Sequence, residues 1–317
     1  ASEEGSGNKT EGDLMRKILV TGGTVFVSKY VAEYYAGHGD EVYVLNRNTK
    51  KQPENTTLIE ADRMQLGDKL KDYRFDVVLD ITAYKREDIS ALCEALGGFG
   101  TYIMISSSAV YPETLLQPVT EEMAVGENRF WGAYGTDKIA AEQELLKRVP
   151  EAYILRQPYL YGPMNDVYRE AFVFDCAMAK REFYLPREGE LPLQFFHVED
   201  LCRFMDCVLE KKPSQHIFNV GNPECVSVRE WVQLCYETVG EPCRMRPIHE
   251  EINQRKYFSF YDYAYQLDVS KQAELLSDTK PLKEGLKEAY DWYREHQQEV
   301  EKRDYMGYID AHLKKES

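Results

Sequence analysis

From Lys17 onward, short runs rich in β-branched residues alternate with segments of helical period. KILVT (17–21) is followed by a helical pattern near 26–37, then by EVYVL (41–45) and TTLIE (56–60). FDVVLDI (75–81), a helix near 86–96 and TYIMIS (101–106) continue the series. Parallel strands need crossover connections, and helices usually supply them. The rhythm therefore predicts an α/β fold built on a Rossmann-type doubly wound parallel sheet. After an irregular acidic stretch (109–130), a helical pattern near 131–147 and a strand at 152–156 extend that sheet.

Beyond Gly162-Pro163 the alternation becomes uneven, with helical patterns near 165–180, 198–211, 227–239 and 281–297 and a short strand near 216–220. This divides the chain into a nucleotide-binding domain over 15–165, with return segments near 198–220, and a smaller C-terminal α/β substrate lobe over 166–317. Residues 1–14 (ASEEGSGNKTEGDL) are polar, precede Met15 directly, and are expected to be a disordered arm or a cloning remnant. The final segment, 299–317, reads as a charged surface helix with a frayed end.

Composition sharpens this picture. A net charge of -15 over 317 residues disfavours nucleic acid and anionic lipid, because both recruit basic patches. Seven cysteines form an odd set with no CxxC pair and no histidine at zinc-finger spacing, so reduced, buried thiols and no metal site are expected. Neither an apolar run of membrane-spanning length nor a charged-then-apolar leader is present in the sequence, and a cytoplasmic protein is expected.

Three segments carry candidate chemistry. Thr21-Gly22-Gly23-Thr24-Val25-Phe26-Val27-Ser28 follows the first strand, where it fits either a pyrophosphate-binding turn or a plain strand-to-helix turn. Tyr134-Gly135-Thr136-Asp137-Lys138 is the only YxxxK in the chain and sets phenol and ammonium one helical turn apart. Ser106-Ser107-Ser108 ends a parallel strand, the end at which open α/β sheets bind ligands. At the end of the second strand, Asn46 stands where an acid would bind the 2′-hydroxyl of NAD, and Arg47 beside it suits a 2′-phosphate. Where the turn does hold a dinucleotide, this end of the strand leaves NAD or NADP, with NADP favoured.

The ordered set TGGT (21–24), SSSAVY (106–111), YGTDK (134–138), LRQPYLYGP (155–163), HVEDL (197–201) and FNVGNP (218–223) resembles the NAD-dependent epimerase/dehydratase family of extended short-chain dehydrogenases/reductases. Gly22 matches the first glycine of that family's loop, while Val25 and Ser28 replace the second and third. The loop is similar to the GGTxFxG of a subgroup that includes the chloroplast stem-loop-binding proteins, from which Ser28 still departs. The resemblance implies Tyr134 as general acid or base, Lys138 as the cation that favours its phenolate and holds the nicotinamide ribose, and Ser107 as partner of the substrate oxygen, with Ser108 the fallback. It also implies cofactor contacts from Gly22, Thr24, Val25 and Phe26, from Asp62 at the adenine, from Thr82 and Ala83 in the DITAY segment, and from Pro158 and Tyr159 beside the nicotinamide.

The implied activity is epimerisation or carbonyl reduction of a sugar or nucleotide-sugar-like substrate. Dehydration is disfavoured, since Ser108 and Ala109 occupy the places of the family's Asp-Glu pair. His197, Glu199 and Asp200 are read as a helix entry rather than as catalysts, and Gln194, Phe195 and Arg255 as pocket candidates. Family members often form homodimers through a helix bundle that would include residues 131–147. The rival class is a non-catalytic Rossmann binding or regulatory protein, RNA-binding in some relatives, whose eroded loop holds no cofactor.

Overall fold

The computed structural model describes residues 15–314, so the expectations for residues 1–14 and for the last three residues lie outside the described residues. The described residues divide into two compact units, 15–106 with 140–154, and 107–139 with 155–314.

The series opens with β1 (Lys17–Thr21), α1 (Phe26–Gly37), β2 (Glu41–Asn46), β3 (Thr57–Glu60), β4 (Phe75–Asp80), α2 (Arg86–Ala95) and β5 (Phe99–Ser107). It continues through α3 (Ala133–Arg148), β6 (Tyr153–Gln157), β7 (Tyr159–Tyr161), α4 (Glu170–Met178), β8 (Phe183–Pro186), β9 (Pro192–Leu193) and β10 (Phe195–His197). The remainder is α5 (Val198–Lys211), β11 (Ile217–Asn219), β12 (Val226–Ser227), α6 (Val228–Val239), β13 (Met245–Ile248), α7 (Ser270–Leu275), α8 (Leu282–Glu295) and α9 (Tyr305–His312).

The main sheet has seven parallel strands in the order β11-β6-β5-β4-β1-β2-β3. β1 pairs with β2 from Lys17 opposite Glu41 and with β4 from Ile18 opposite Val77. Ile18, Leu19 and Val20 are all buried, as central strands covered on both faces require. The strand order reverses between β1 and β4, the topological switch point at which such sheets bind ligands beyond their carboxyl ends.

Two expectations need correction. The helix expected over 165–180 begins only at Glu170, because Asn165 Oδ1 accepts the Val167 amide at 3.0 Å and Met164 sits at φ +74°, which holds 164–167 in a turn. The terminal segment expected to be a surface helix sends Tyr305, Ile309 and Leu313 into the core of the second unit at helical spacing, so its charges mark only the outer face. Strands of two to four residues (β7, β8, β9, β10, β12 and β13) went unread, because they are too short to show alternation.

Candidate functional site

In the first unit, β1 runs through Gly22 and Gly23 into α1. Their φ angles are +84° and +107°, and a Cβ would come within 2.8 Å of Thr82 at Gly22 and 2.7 Å of Val44 at Gly23. Only glycine fits either place. Thr24 and Val25 are half-buried, and the buried Phe26 opens α1 at φ +26°. A non-glycine residue held at positive φ costs about 1–3 kcal/mol, and such strain gathers at functional sites. No side chain caps α1 and no acid lies in its first turn, so its leading amides and dipole are directed at whatever anion arrives. Ser28, standing for the third glycine, turns its hydroxyl back onto the Val25 carbonyl at 2.9 Å and so closes the turn itself. This cradle fits a pyrophosphate.

A buried polar cluster fixes the segment after β4 against the same turn. Thr21 Oγ1 donates to Asp80 Oδ1 at 2.9 Å and accepts the amides of Ile81 and Thr82 at 2.9 and 3.1 Å. Arg63 grips both Asp80 oxygens at 2.7 Å and donates to the Asp88 carbonyl, while the Tyr102 hydroxyl also donates to Asp80. Burial opposes ionisation of Asp80, but the Arg63 charge and the hydrogen bonds from Arg63, Tyr102 and Thr21 outweigh it and hold the carboxyl below the usual range. Thr82 is half-buried and Ala83 fully buried. Sequence reasoning singled out the DITAY segment but missed Arg63, whose partner lies 17 residues away.

The other first-unit candidates differ in what they can offer. Asn46 Nδ2 donates to the Gly22 carbonyl at 2.8 Å, and its amide pairs with that of Gln52, so this side chain positions the glycine turn. Arg47 is exposed and makes no hydrogen bond or ion pair among the described residues. Asp62 is exposed, and its Oδ1 accepts the Met64 amide at 2.8 Å.

In the second unit, Ser107 and Tyr134 come together. Ser106, which ends the first unit, donates to Glu142 of that unit at 2.6 Å, while the Ser107 hydroxyl interacts with the Tyr134 phenol and Ser108 with that of Tyr265. Ser107 also accepts the Ala109 amide at 3.1 Å. Gly135, unremarked in the sequence, permits this meeting, because any side chain there would collide with the Ala109 carbonyl. Lys138 lies one turn along α3 with its Nζ 6.0 Å from the Tyr134 ring centre, and at 2% exposure it is no solvated surface lysine. Tyr134 leaves 38% of its surface open, yet its hydroxyl meets the buried Ser107. Desolvation raises that phenol above its ordinary value, against the pull of the Ser107 hydrogen bond and the Arg169 charge.

Pro158 is buried, and the buried Tyr159 has a hydroxyl with no partner among the described residues. Arg169, which sequence reasoning missed, lies over the Tyr159 ring at 4.7 Å. His197 caps α5 by accepting the Glu199 amide at 3.0 Å, and burial with the nearby Lys280 charge pushes its imidazole down to about 3. It is neutral at physiological pH. Glu199 pairs with Lys280 and Asp200 with Arg203 and the Lys280 amide, so this helix entry is structural. Gln194 is hydrogen-bonded to Asn222 and Leu267, and Arg255 to the Phe258 carbonyl and Tyr305 hydroxyl. Phe195 lines a cavity of about 440 Å³ with Asn222, Cys225 and Lys280. Among the described residues no cluster of His, Cys, Asp and Glu could hold a metal, and no helix is long and apolar enough to cross a membrane.

The model of the NAD dependent epimerase/dehydratase family matches residues 18–221. The chain belongs to this family. It is similar to the chloroplast stem-loop binding protein of 41 kDa b from Arabidopsis thaliana, 28% identical over 302 residues that cover 87% of this chain and 78% of that protein. It is also similar to a UDP-glucose 4-epimerase from Corynebacterium glutamicum, 23% identical over 270 residues, covering 71% and 81%. Among solved structures, the Thermotoga maritima UDP-glucose 4-epimerase with UDP-glucose shares the fold at a TM-score of 0.72 and 21% identity, over 89% of this chain and 99% of that one. Bordetella bronchiseptica WbmG in complex with NAD shares it at 0.73 and 18%, over 91% and 97%. The fold expected from the strand rhythm is thus that of the epimerase/dehydratase family.

Proposed function

We propose that the chain is an NAD(P)-dependent epimerase or reductase acting on a nucleotide sugar. The observation that carries this reading is the meeting of Ser107 with the Tyr134 phenol, one helical turn from the buried Lys138. In this reading residues 15–165, with the return near 198–220, form the nucleotide-binding domain and 166–317 mainly the substrate lobe.

The Gly22–Phe26 turn holds the pyrophosphate through backbone amides, while Asp62, Thr82 and Ala83 line the adenosine side. Asn46 acts on the cofactor through the turn it positions, and Arg47, exposed and unpaired, favours a 2′-phosphate and hence NADP. When bound, the dinucleotide supplies hydride transfer. Ser107 orients the substrate oxygen, and Tyr134 gives a proton to it or takes one from it.

Burial keeps Tyr134 a neutral phenol at neutral pH, the form that protonates a carbonyl oxygen. Acting as a base near pH 7 requires a shift of roughly three units, about 4 kcal/mol, toward the phenolate. The Lys138 ammonium works in that direction. Ala109 and the Tyr265-bound Ser108 offer no acid pair for dehydration.

The likeness to a stem-loop binding protein favours a second reading, binding without catalysis, which the chain's acidity opposes. Turnover of nucleotide sugars by Tyr134→Phe separates the two. The expected loss is about a thousandfold, with dinucleotide affinity retained. Unchanged turnover would remove Tyr134 from its role.

A further inference from the structure

Arg169 stands immediately before α4, half-buried, and its guanidinium makes no hydrogen bond or ion pair among the described residues. This is conspicuous in a chain with 54 acidic and 39 basic side chains, where carboxylates outnumber cations. The one acid beside it, Glu170, is occupied with the Gly162 amide and the Asn165 amide group. Instead the guanidinium lies over two rings, 4.7 Å from the centre of Tyr159 and 5.7 Å from that of Phe260. The rings occupy a face of the group and leave its N–H donors uncommitted, and a guanidinium fork with free donors suits a bidentate carboxylate.

A second donor is left open in the same cluster. The Tyr159 hydroxyl is buried without a partner among the described residues, and the residue is only 5% exposed. A buried polar group without a partner costs free energy that a ligand can return. The Arg169 charge also acts on the Tyr134 phenol, opposing the rise that burial causes there.

We propose that Arg169, with the Tyr159 hydroxyl, forms a subsite for a carboxylate carried on the sugar ring, so that the preferred substrate is a nucleotide-linked uronic acid. This rests on the nucleotide-sugar reading above. The sugar carboxylate is assigned, rather than the diphosphate, because Arg169 lies over Tyr159, the residue that the family resemblance puts beside the nicotinamide and hence beside the reacting carbon.

The test is calorimetric titration of the dinucleotide-saturated protein with UDP-glucuronic acid, UDP-glucose and UDP. The two sugars differ only at C6, and UDP alone isolates the diphosphate. UDP-glucuronic acid is expected to bind roughly 10- to 100-fold tighter than UDP-glucose. Arg169→Met should bring that ratio close to one with the affinity for UDP unaltered, and Arg169→Lys, which keeps the charge, should retain part of the preference. Equal or weaker binding of UDP-glucuronic acid would overturn the carboxylate subsite and leave the nucleotide-sugar reading standing. A matching loss of UDP affinity in Arg169→Met would reassign Arg169 to the diphosphate. Binding of neither sugar would overturn both readings together.

Discussion

The Asp80 cluster of the first unit and the Tyr134 cluster of the second use similar residues and are finished differently. Around Asp80, each carboxylate oxygen accepts two donors, from Thr21 and Arg63 on one side and from Arg63 and Tyr102 on the other. Around Tyr134, the Tyr159 hydroxyl and the Arg169 guanidinium have no partner among the described residues. A closed buried network fixes backbone geometry, whereas one left open keeps hydrogen-bonding capacity for a ligand. The first cluster thus shapes a loop, and the second, in the function proposed above, receives a substrate.

The largest expected effect breaks the closed network. Asp80→Leu strands Arg63 as an uncompensated buried charge, and urea unfolding should show a loss of about 3–5 kcal/mol. Adding Arg63→Met should restore most of that stability, because a buried ion pair can be replaced by apolar groups of similar volume. If the cluster exists to shape the turn, the double variant will still bind dinucleotide more weakly. Full recovery of binding would reduce the cluster to a stability element.

A smaller effect comes from Glu170, whose carboxyl is pushed up to about 7 chiefly by burial. With the folded value above the unfolded one, its contribution is fully present below about pH 4.5 and is lost as pH rises through 7. That loss is about 3 kcal/mol. His197 works in the opposite sense, its depressed value removing stability as pH falls from 6.5 toward 3. Denaturant midpoints measured from pH 5 to 8 should therefore decline less steeply in Glu170→Gln than in the parent chain.

The smallest effect concerns the open end of the second strand. Arg47→Ala should lower affinity for NADP about tenfold while leaving NAD nearly unaffected, as comparative titrations would reveal. Equal losses for both would mean that Arg47 reads no 2′-phosphate.

Much of the first unit was legible because its central strands are continuous runs such as KILVT and FDVVLD, buried on both faces. The YxxxK spacing alone put Tyr134 and Lys138 on one helical face, whereas the strand end offered Ser106, Ser107 and Ser108 alike and only the family resemblance singled out Ser107. Arg63, Arg169 and Gly135 were illegible for a common reason. Each acts on a residue distant in sequence, Asp80, Tyr159 or Ala109, and no local period records such a meeting. Tyr305, Ile309 and Leu313 were hidden by the charges around them. The atypical loop was misleading in the opposite direction: Val25 and Ser28 suggested erosion, yet Gly22 and Gly23 preserve the turn and Ser28 closes it.

The central claim, that this turn still holds a nicotinamide dinucleotide, is tested most directly by calorimetric titration of the purified protein with NAD and NADP. The account predicts saturable binding of one dinucleotide per chain with a dissociation constant of about 1 mM or tighter. No saturable heat with either dinucleotide would contradict it.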